Sequence, residues 1–215
     1  MPALEADDFT TSTPPQPLDG AEVHLWFFAP WPRTGHAAES EFVRALLGTY
    51  LQRSAEEVRI DRHPGGKPVI RGERLRFNLA HSGTGLLVGL ADSLELGVDL
   101  ETPRRPRPVI ELARRFFTPA EAAALAALPE AGRQGAFLRL WTCKEAVLKA
   151  QGHGLAGGLD SVAFSLGPGE PIPIPQTPAA GVAWQVRCAA PAPDYVGAVA
   201  WRGDNRSIRA FKVIL

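Results

Sequence analysis

The chain has 215 residues, 45% of them hydrophobic, and its 23 basic side chains are balanced by 23 acidic ones. That size suits one large domain or two small units sharing a core, and a formal charge of zero argues against an extended nucleic-acid footprint. No apolar run reaches membrane-span length, and the start of the chain has no basic-then-apolar export pattern, so the expected location is cytoplasmic. Cys143 and Cys188 have no metal-ligand spacing and read as free, reduced and partly buried. Nineteen arginines accompany only four lysines, so each of Lys67, Lys144, Lys149 and Lys212 carries more information than a typical lysine.

Residues 1–20, rich in acids, Ser/Thr and Pro, predict a flexible tail. Residues 22–29 are apolar and aromatic and predict a strand ended by Pro30 and Pro32. Residues 39–52 have helical spacing, with Ser40 as a plausible cap, and 58–61 predict a short strand. The turn Pro64-Gly65-Gly66-Lys67-Pro68 lets backbone approach a ligand and delivers a lysine at once, although it lacks the spacing of a Walker loop. Residues 75–79 alternate, with Leu75, Phe77 and Leu79 inward and Arg76 and Asn78 outward, and run into His81-Ser82-Gly83. Strand 86–91 turns at Asp92-Ser93 and is expected to pair as a hairpin with 94–101.

Residues 102–108, rich in Pro and Arg, read as a linker. A helix over 109–117 is followed by a second one with Pro119 at its first position, Thr118 as cap and Glu121 as the reciprocal partner of a capping box. A long helix over 135–151 is stopped at Gly152. Strands are predicted at 161–166, 182–189, 195–201 and 208–215. The order of elements in each half gives an α+β fold made of two similar α/β units.

Two stretches carry chemistry. In Gly97-Val98-Asp99-Leu100-Glu101 the two carboxylates alternate with apolar residues and share one face of a strand. Glu145 and Lys149 are one helical turn apart and share one face of the long helix. A third carboxylate brought opposite the first two makes an all-oxygen site for a hard cation such as Mg²⁺, which commonly takes further ligands from substrate phosphates.

The segments GGKP (65–68), FNLAHSG (77–83), GVDLE (97–101), RFFTPAE (115–121) and WTCKEAVLKAQGHGL (141–155) stand in this order. Together they resemble the 4′-phosphopantetheinyl transferases of the Sfp (surfactin-synthetase-activating) type, over roughly residues 40–165. The resemblance implies a pseudo-twofold pair of α/β subdomains, 21–103 and 104–215, with the active site in the cleft between them. It implies transfer of the phosphopantetheine arm of coenzyme A to a serine of an apo acyl or peptidyl carrier protein, with release of adenosine 3′,5′-bisphosphate. Asp99, Glu101 and Glu145 match the metal-binding acids, for Mg²⁺ or Mn²⁺. Lys149 matches the lysine on the pyrophosphate, Lys67 and His81 match coenzyme A phosphate contacts with Ser82 beside them, and Glu121 matches an acid of the nucleotide site. Lys144 lies in the same motif, and Glu145 is the candidate base, acting directly or through a water.

Members of the family usually have a longer N-terminal half with a basic nucleotide-holding segment. Here Arg33 and His36 lie in the short gap and Arg44 on the helix; either these substitute for the missing contacts or coenzyme A binds more weakly. Arg104, Arg105, Arg107, Arg114 and Arg115 form a basic cluster suited to an acidic carrier, and a monomer suffices. The competing functions are a non-catalytic coenzyme A or nucleotide-binding module of the same fold and a Mg²⁺-dependent nucleotide phosphohydrolase.

Overall fold

Strand β2 (Glu22–Ala29) is apolar along both of its faces, so both must be covered. In the computed structural model, which describes residues 3–12, 17–31, 35–103, 106–152, 158–166, 172–173 and 182–214, they are. Val23, Leu25 and Phe27 enter a core between two sheets. Trp26 and Phe28 enter a second core beneath helix α1 (Gly35–Leu51). On that same face the buried His24 ring meets the Tyr50 hydroxyl at 2.8 Å, and the Trp26 indole donates to it at 2.7 Å.

The remaining elements are β1 (Phe9–Thr11), β3 (Ile60–Arg62), β4 (Pro68–Ile70), β5 (Leu75–Ser82), β6 (Gly85–Asp92), β7 (Leu96–Glu101), α2 (Val109–Phe116), α3 (Pro119–Ala127), α4 (Glu130–Gln151), β8 (Phe164–Ser165), β9 (Ile172–Pro173), β10 (Trp184–Ala189), β11 (Val196–Arg202) and β12 (Ser207–Ile214). A five-stranded sheet runs β1-β12-β2-β6-β5 and a three-stranded sheet runs β10-β11-β7. Helix α1 covers the outer face of the first sheet. Helices α2, α3 and α4 cover the outer face of the second, through a core that includes Val186, Cys188, Ala198 and Ala200. The result is a mixed α/β arrangement of four layers, helix, sheet, sheet and helices.

Several expectations are corrected. Part of the predicted tail is ordered: β1 pairs in parallel with β12 and Phe9 is 1% exposed, because an apolar side chain beside an open sheet edge gains by burial. Helix α1 starts at Gly35, so Ser40 lies inside it rather than capping it. Residues 161–166 are mostly not strand: a 3₁₀ turn at Leu159–Ser161 precedes the two-residue β8. Asn78 faces inward, 5% exposed. Both cysteines are buried in full, with their Sγ atoms 3.6 Å apart.

The largest difference is β7, which does not form a hairpin with β6. Both edges of β6 are taken, by β2 and β5, so β7 joins β11 in the other sheet. There it is an edge strand with backbone groups to satisfy. Asn78 Oδ1 accepts the Val98 N–H at 2.9 Å, and Lys67 Nζ donates to the Leu96 carbonyl at 2.9 Å. In the opposite direction, β12 pairs with β2.

Strand β7 sends Leu96, Val98 and Leu100 into the core between the sheets, which turns Gly97, Asp99 and Glu101 toward α4. Gly97 is where the two backbones touch. A Cβ there would collide with the Ala146 carbonyl oxygen and the Ala150 amide nitrogen, and would lie 2.9 Å from Lys149 Cβ. Replacing Gly97 with Ala is expected to force β7 and α4 apart and destabilise the protein by about 2–3 kcal/mol, read by urea unfolding; an unchanged midpoint would show that α4 can shift without loss.

Candidate active site

The Gly97 contact places the acids of β7 opposite the last two turns of α4. Asp99 and Lys149 line a cavity of about 470 Å³ together with His81, Arg62 and the apolar Phe77 and Leu79. Lys149 Nζ donates to Asp99 Oδ1 at 2.7 Å. Glu101 Oε2 accepts from Arg107 Nη2 at 2.8 Å and from Ser82 Oγ at 3.4 Å. Glu145 is 8% exposed and feels the charges of Asp99, Lys149 and Glu101.

The electrostatics are those of three acids held together. Burial pushes the Asp99 carboxyl up, opposed by Lys149. Glu145 is pushed up to about 7, first by burial and then by the charge of Asp99. Asp99 Oδ2 is buried with no hydrogen-bond partner among the described residues. A buried carboxylate oxygen without a partner is costly, and a cation supplies what it lacks. Among the described residues no group of three or more His, Cys, Asp or Glu side chains is already placed to hold a metal ion. The donor set nevertheless fits Mg²⁺, which takes one or two carboxylates and fills its shell with water and substrate phosphate.

The other residues singled out from the sequence fall elsewhere. Lys67 does not line the cavity: its ammonium is bonded to Glu95 at 2.6 Å as well as to the Leu96 carbonyl. Arg44 does not line it either, although its neighbour Val43 does; Arg44 Nε is buried with no partner among the described residues. Glu121 forms the capping box with Thr118. Its other oxygen accepts from the Phe164 N–H at 2.8 Å and pairs with Lys144 at 2.8 Å. Lys144 is fully buried and also donates to the Leu159 and Val162 carbonyls, so it turns away from the cavity. Both residues therefore tie α3 and α4 to residues 159–164.

Arg33, Arg104 and Arg105 lie outside the described residues, as do His153 to Leu155 of the last motif; Gly152, in the left-handed region, caps α4. Arg114 and Arg115 are exposed on α2. Two arginines at the site were not marked as site residues by any pattern in the sequence. Arg107, assigned to a surface cluster, holds Glu101. Arg62 had no signal beyond its place three residues before the Gly65-Gly66 turn.

Replacing Lys144 with Met is expected to leave Glu121 buried without its cation and to cost about 3–5 kcal/mol in unfolding experiments. The double variant Lys144→Met, Glu121→Gln, which removes the charge but keeps an acceptor for the Phe164 N–H, should recover part of that loss; a stable single variant would refute the structural role. A second expectation concerns pH in EDTA. Glu145 titrates from 4.5 in the unfolded chain to about 7 in the fold, so folding takes up a proton between these values. Stability should therefore fall by about 1–3 kcal/mol as pH rises through that window, and Glu145→Gln should flatten the slope.

No helix among the described residues is long and apolar enough to cross a membrane. The model of the 4′-phosphopantetheinyl transferase superfamily matches residues 95–200, the stretch from β7 through α4 to β11. The chain is 37% identical over 182 residues to the 4′-phosphopantetheinyl transferase HetI of Nostoc sp., a match covering 82% of this chain and 74% of that protein. It is 32% identical over 126 residues to the 4′-phosphopantetheinyl transferase Sfp of Bacillus subtilis, covering 58% of this chain and 54% of that one. A solved structure, the Thermotoga maritima holo-[acyl-carrier-protein] synthase, aligns over 52% of this chain and 64% of its own with a TM-score of 0.42 and 19% identity. On the HetI match and the family match together, the chain belongs to the 4′-phosphopantetheinyl transferase superfamily.

Proposed function

We propose that this enzyme, which transfers phosphopantetheine from coenzyme A to a carrier protein, does so with Asp99, Glu101, Glu145 and Lys149. A carrier serine oxygen attacks the phosphorus that bears the pantetheine arm. The bond from that phosphorus to the bridging oxygen breaks, and adenosine 3′,5′-bisphosphate leaves. Such chemistry depends on positioning and charge neutralisation. Asp99, Glu101 and Glu145 are the residues that hold Mg²⁺, or Mn²⁺, and the ion when bound supplies polarisation of the pyrophosphate. Lys149, already at the metal acids, turns its ammonium to the pyrophosphate. Glu145 takes the serine proton, directly or through a water. His81, on the cavity wall, contacts a coenzyme A phosphate, and Ser82 orients Glu101.

The observation that carries this reading is the meeting of Asp99 with Lys149 on one cavity, with Glu101 and Glu145 close enough for their charges to act on one another. We further propose that the two units, 21–103 and 104–215, are related by a pseudo-twofold axis, with β7 and β12 each pairing across that division, and that coenzyme A enters between them. In support, each sheet carries one long helix on its outer face, α1 on one and α4 on the other. One chain then supplies both walls, so the enzyme acts as a monomer. The exposed Arg114 and Arg115 suit an acidic carrier.

The test is intact-mass spectrometry of an apo carrier incubated with the protein, coenzyme A and Mg²⁺. The expected result is a gain of one phosphopantetheine, abolished by EDTA, with Glu145→Gln losing about 10²–10⁴-fold in kcat while still binding coenzyme A. Coenzyme A binding without transfer across several carriers would favour the binding module. Release of bisphosphate without a carrier would favour the hydrolase.

A further inference from the structure

The β3–β4 hairpin presents two cations, and the structure separates them. Lys67 is 7% exposed in its side chain, and its ammonium is committed to Glu95 and to the Leu96 carbonyl at the edge of β7. Arg62 stands on the partner strand, in register with Pro68, and lines the cavity with that proline, Ile60 and Phe77. Its Nη1 donates to the Gly66 carbonyl at 3.0 Å. That bond fixes one corner of the guanidinium and leaves the remaining N–H groups of the fork for another acceptor. The Gly66 turn, at φ +85°, therefore serves to anchor Arg62.

Among the described residues that line the cavity, the lysine and arginine side chains are those of Lys149 and Arg62. Coenzyme A has two separate phosphate groups, a bridging pyrophosphate and a monoester on the ribose 3′ oxygen. Lys149 sits on Asp99 and is matched to the pyrophosphate. Arg62 is then left for the other. A monoester dianion with three equivalent oxygens suits a planar fork better than a point charge, and the apolar walls at Ile60, Pro68 and Phe77 suit the adenine beside it.

We propose that Arg62 recognises the ribose 3′-phosphate and sets the preference of this enzyme for coenzyme A over dephospho-coenzyme A. This assignment rests on the transferase reading above. It gives the cavity-facing phosphate cation of the hairpin as Arg62 in place of Lys67.

The experiment is steady-state transfer to an apo carrier with each donor, by the wild type, Arg62→Ala, Arg62→Lys and, as a control, Lys67→Met. Loss of a charged hydrogen-bonding partner predicts a rise of about 10–100-fold in KM for coenzyme A with Arg62→Ala. The KM for dephospho-coenzyme A should stay near the wild-type value, so that the two donors become equivalent. Arg62→Lys should restore part of the preference. Lys67→Met should lower thermal stability yet keep the preference. Equal rises for both donors, or no rise for coenzyme A, would overturn the assignment, as would loss of the preference in Lys67→Met with Arg62→Ala unaffected. If the wild type transfers from neither donor, the transferase reading fails instead, and direct calorimetry of adenosine 3′,5′-bisphosphate against 5′-adenosine monophosphate still tests Arg62: the wild type should favour the bisphosphate and Arg62→Ala should not.

Discussion

The close approach of β7 to α4 at Gly97 is the contact on which the site depends. Asp99 and Glu101 are on the strand, Glu145 and Lys149 on the helix, and no local element joins them. A glycine between two backbones is what lets the helix settle on the strand at that depth. The small Ala198 and Ala200 of the neighbouring β11 enter the same helix-covered core and extend the shallow floor on which α4 rests. With Leu96, Val98 and Leu100 fixed in the core on the other face, the strand cannot rotate or slip by one residue without exposing them. The acids are thus aimed by the burial of their neighbours.

The site is also an electrostatic compromise. Three carboxylates are gathered where burial raises the cost of charge, and the chain offsets part of that cost with two of its own cations. Lys149 rests on Asp99 and Arg107 on Glu101. Each of these acids gives one oxygen to a protein cation, and Asp99 Oδ2 is left buried and without a partner among the described residues. Glu145 has the raised affinity for protons that such a cluster produces. A divalent ion and a pyrophosphate bring charges of both signs and so suit an arrangement that is neither neutral nor closed.

Other polar residues singled out in the sequence do not line the cavity and have structural partners. Lys144 and Glu121 form a buried pair that fastens two helices to the segment after α4. Lys67 and Asn78 satisfy the exposed edge of β7, the strand that holds the acids. Lys67 and Asn78 thereby help to keep that strand in place.

The sequence by itself determined most of the elements and the reaction class. The both-sided apolar run of β2, the Thr118–Glu121 capping box, the long α4 with its Gly cap and the alternation of Asp99 and Glu101 were all legible, because each is set by neighbours within one turn or one strand. The family motifs identified the reaction class. What the sequence left undetermined were contacts made across the fold. The expected β6–β7 hairpin failed because β6 has two edges and both were already paired by β2 and β5, a competition that no local pattern reveals. The expected tail became β1 because β12, at the far end of the chain, offered it an edge. Lys67 and Arg62 are five residues apart on one hairpin, and only the position of β7 decided which would be buried against a strand edge and which would line the cavity. Side-chain direction follows from what lies on each side of a strand, and that is known only once the layers are assembled.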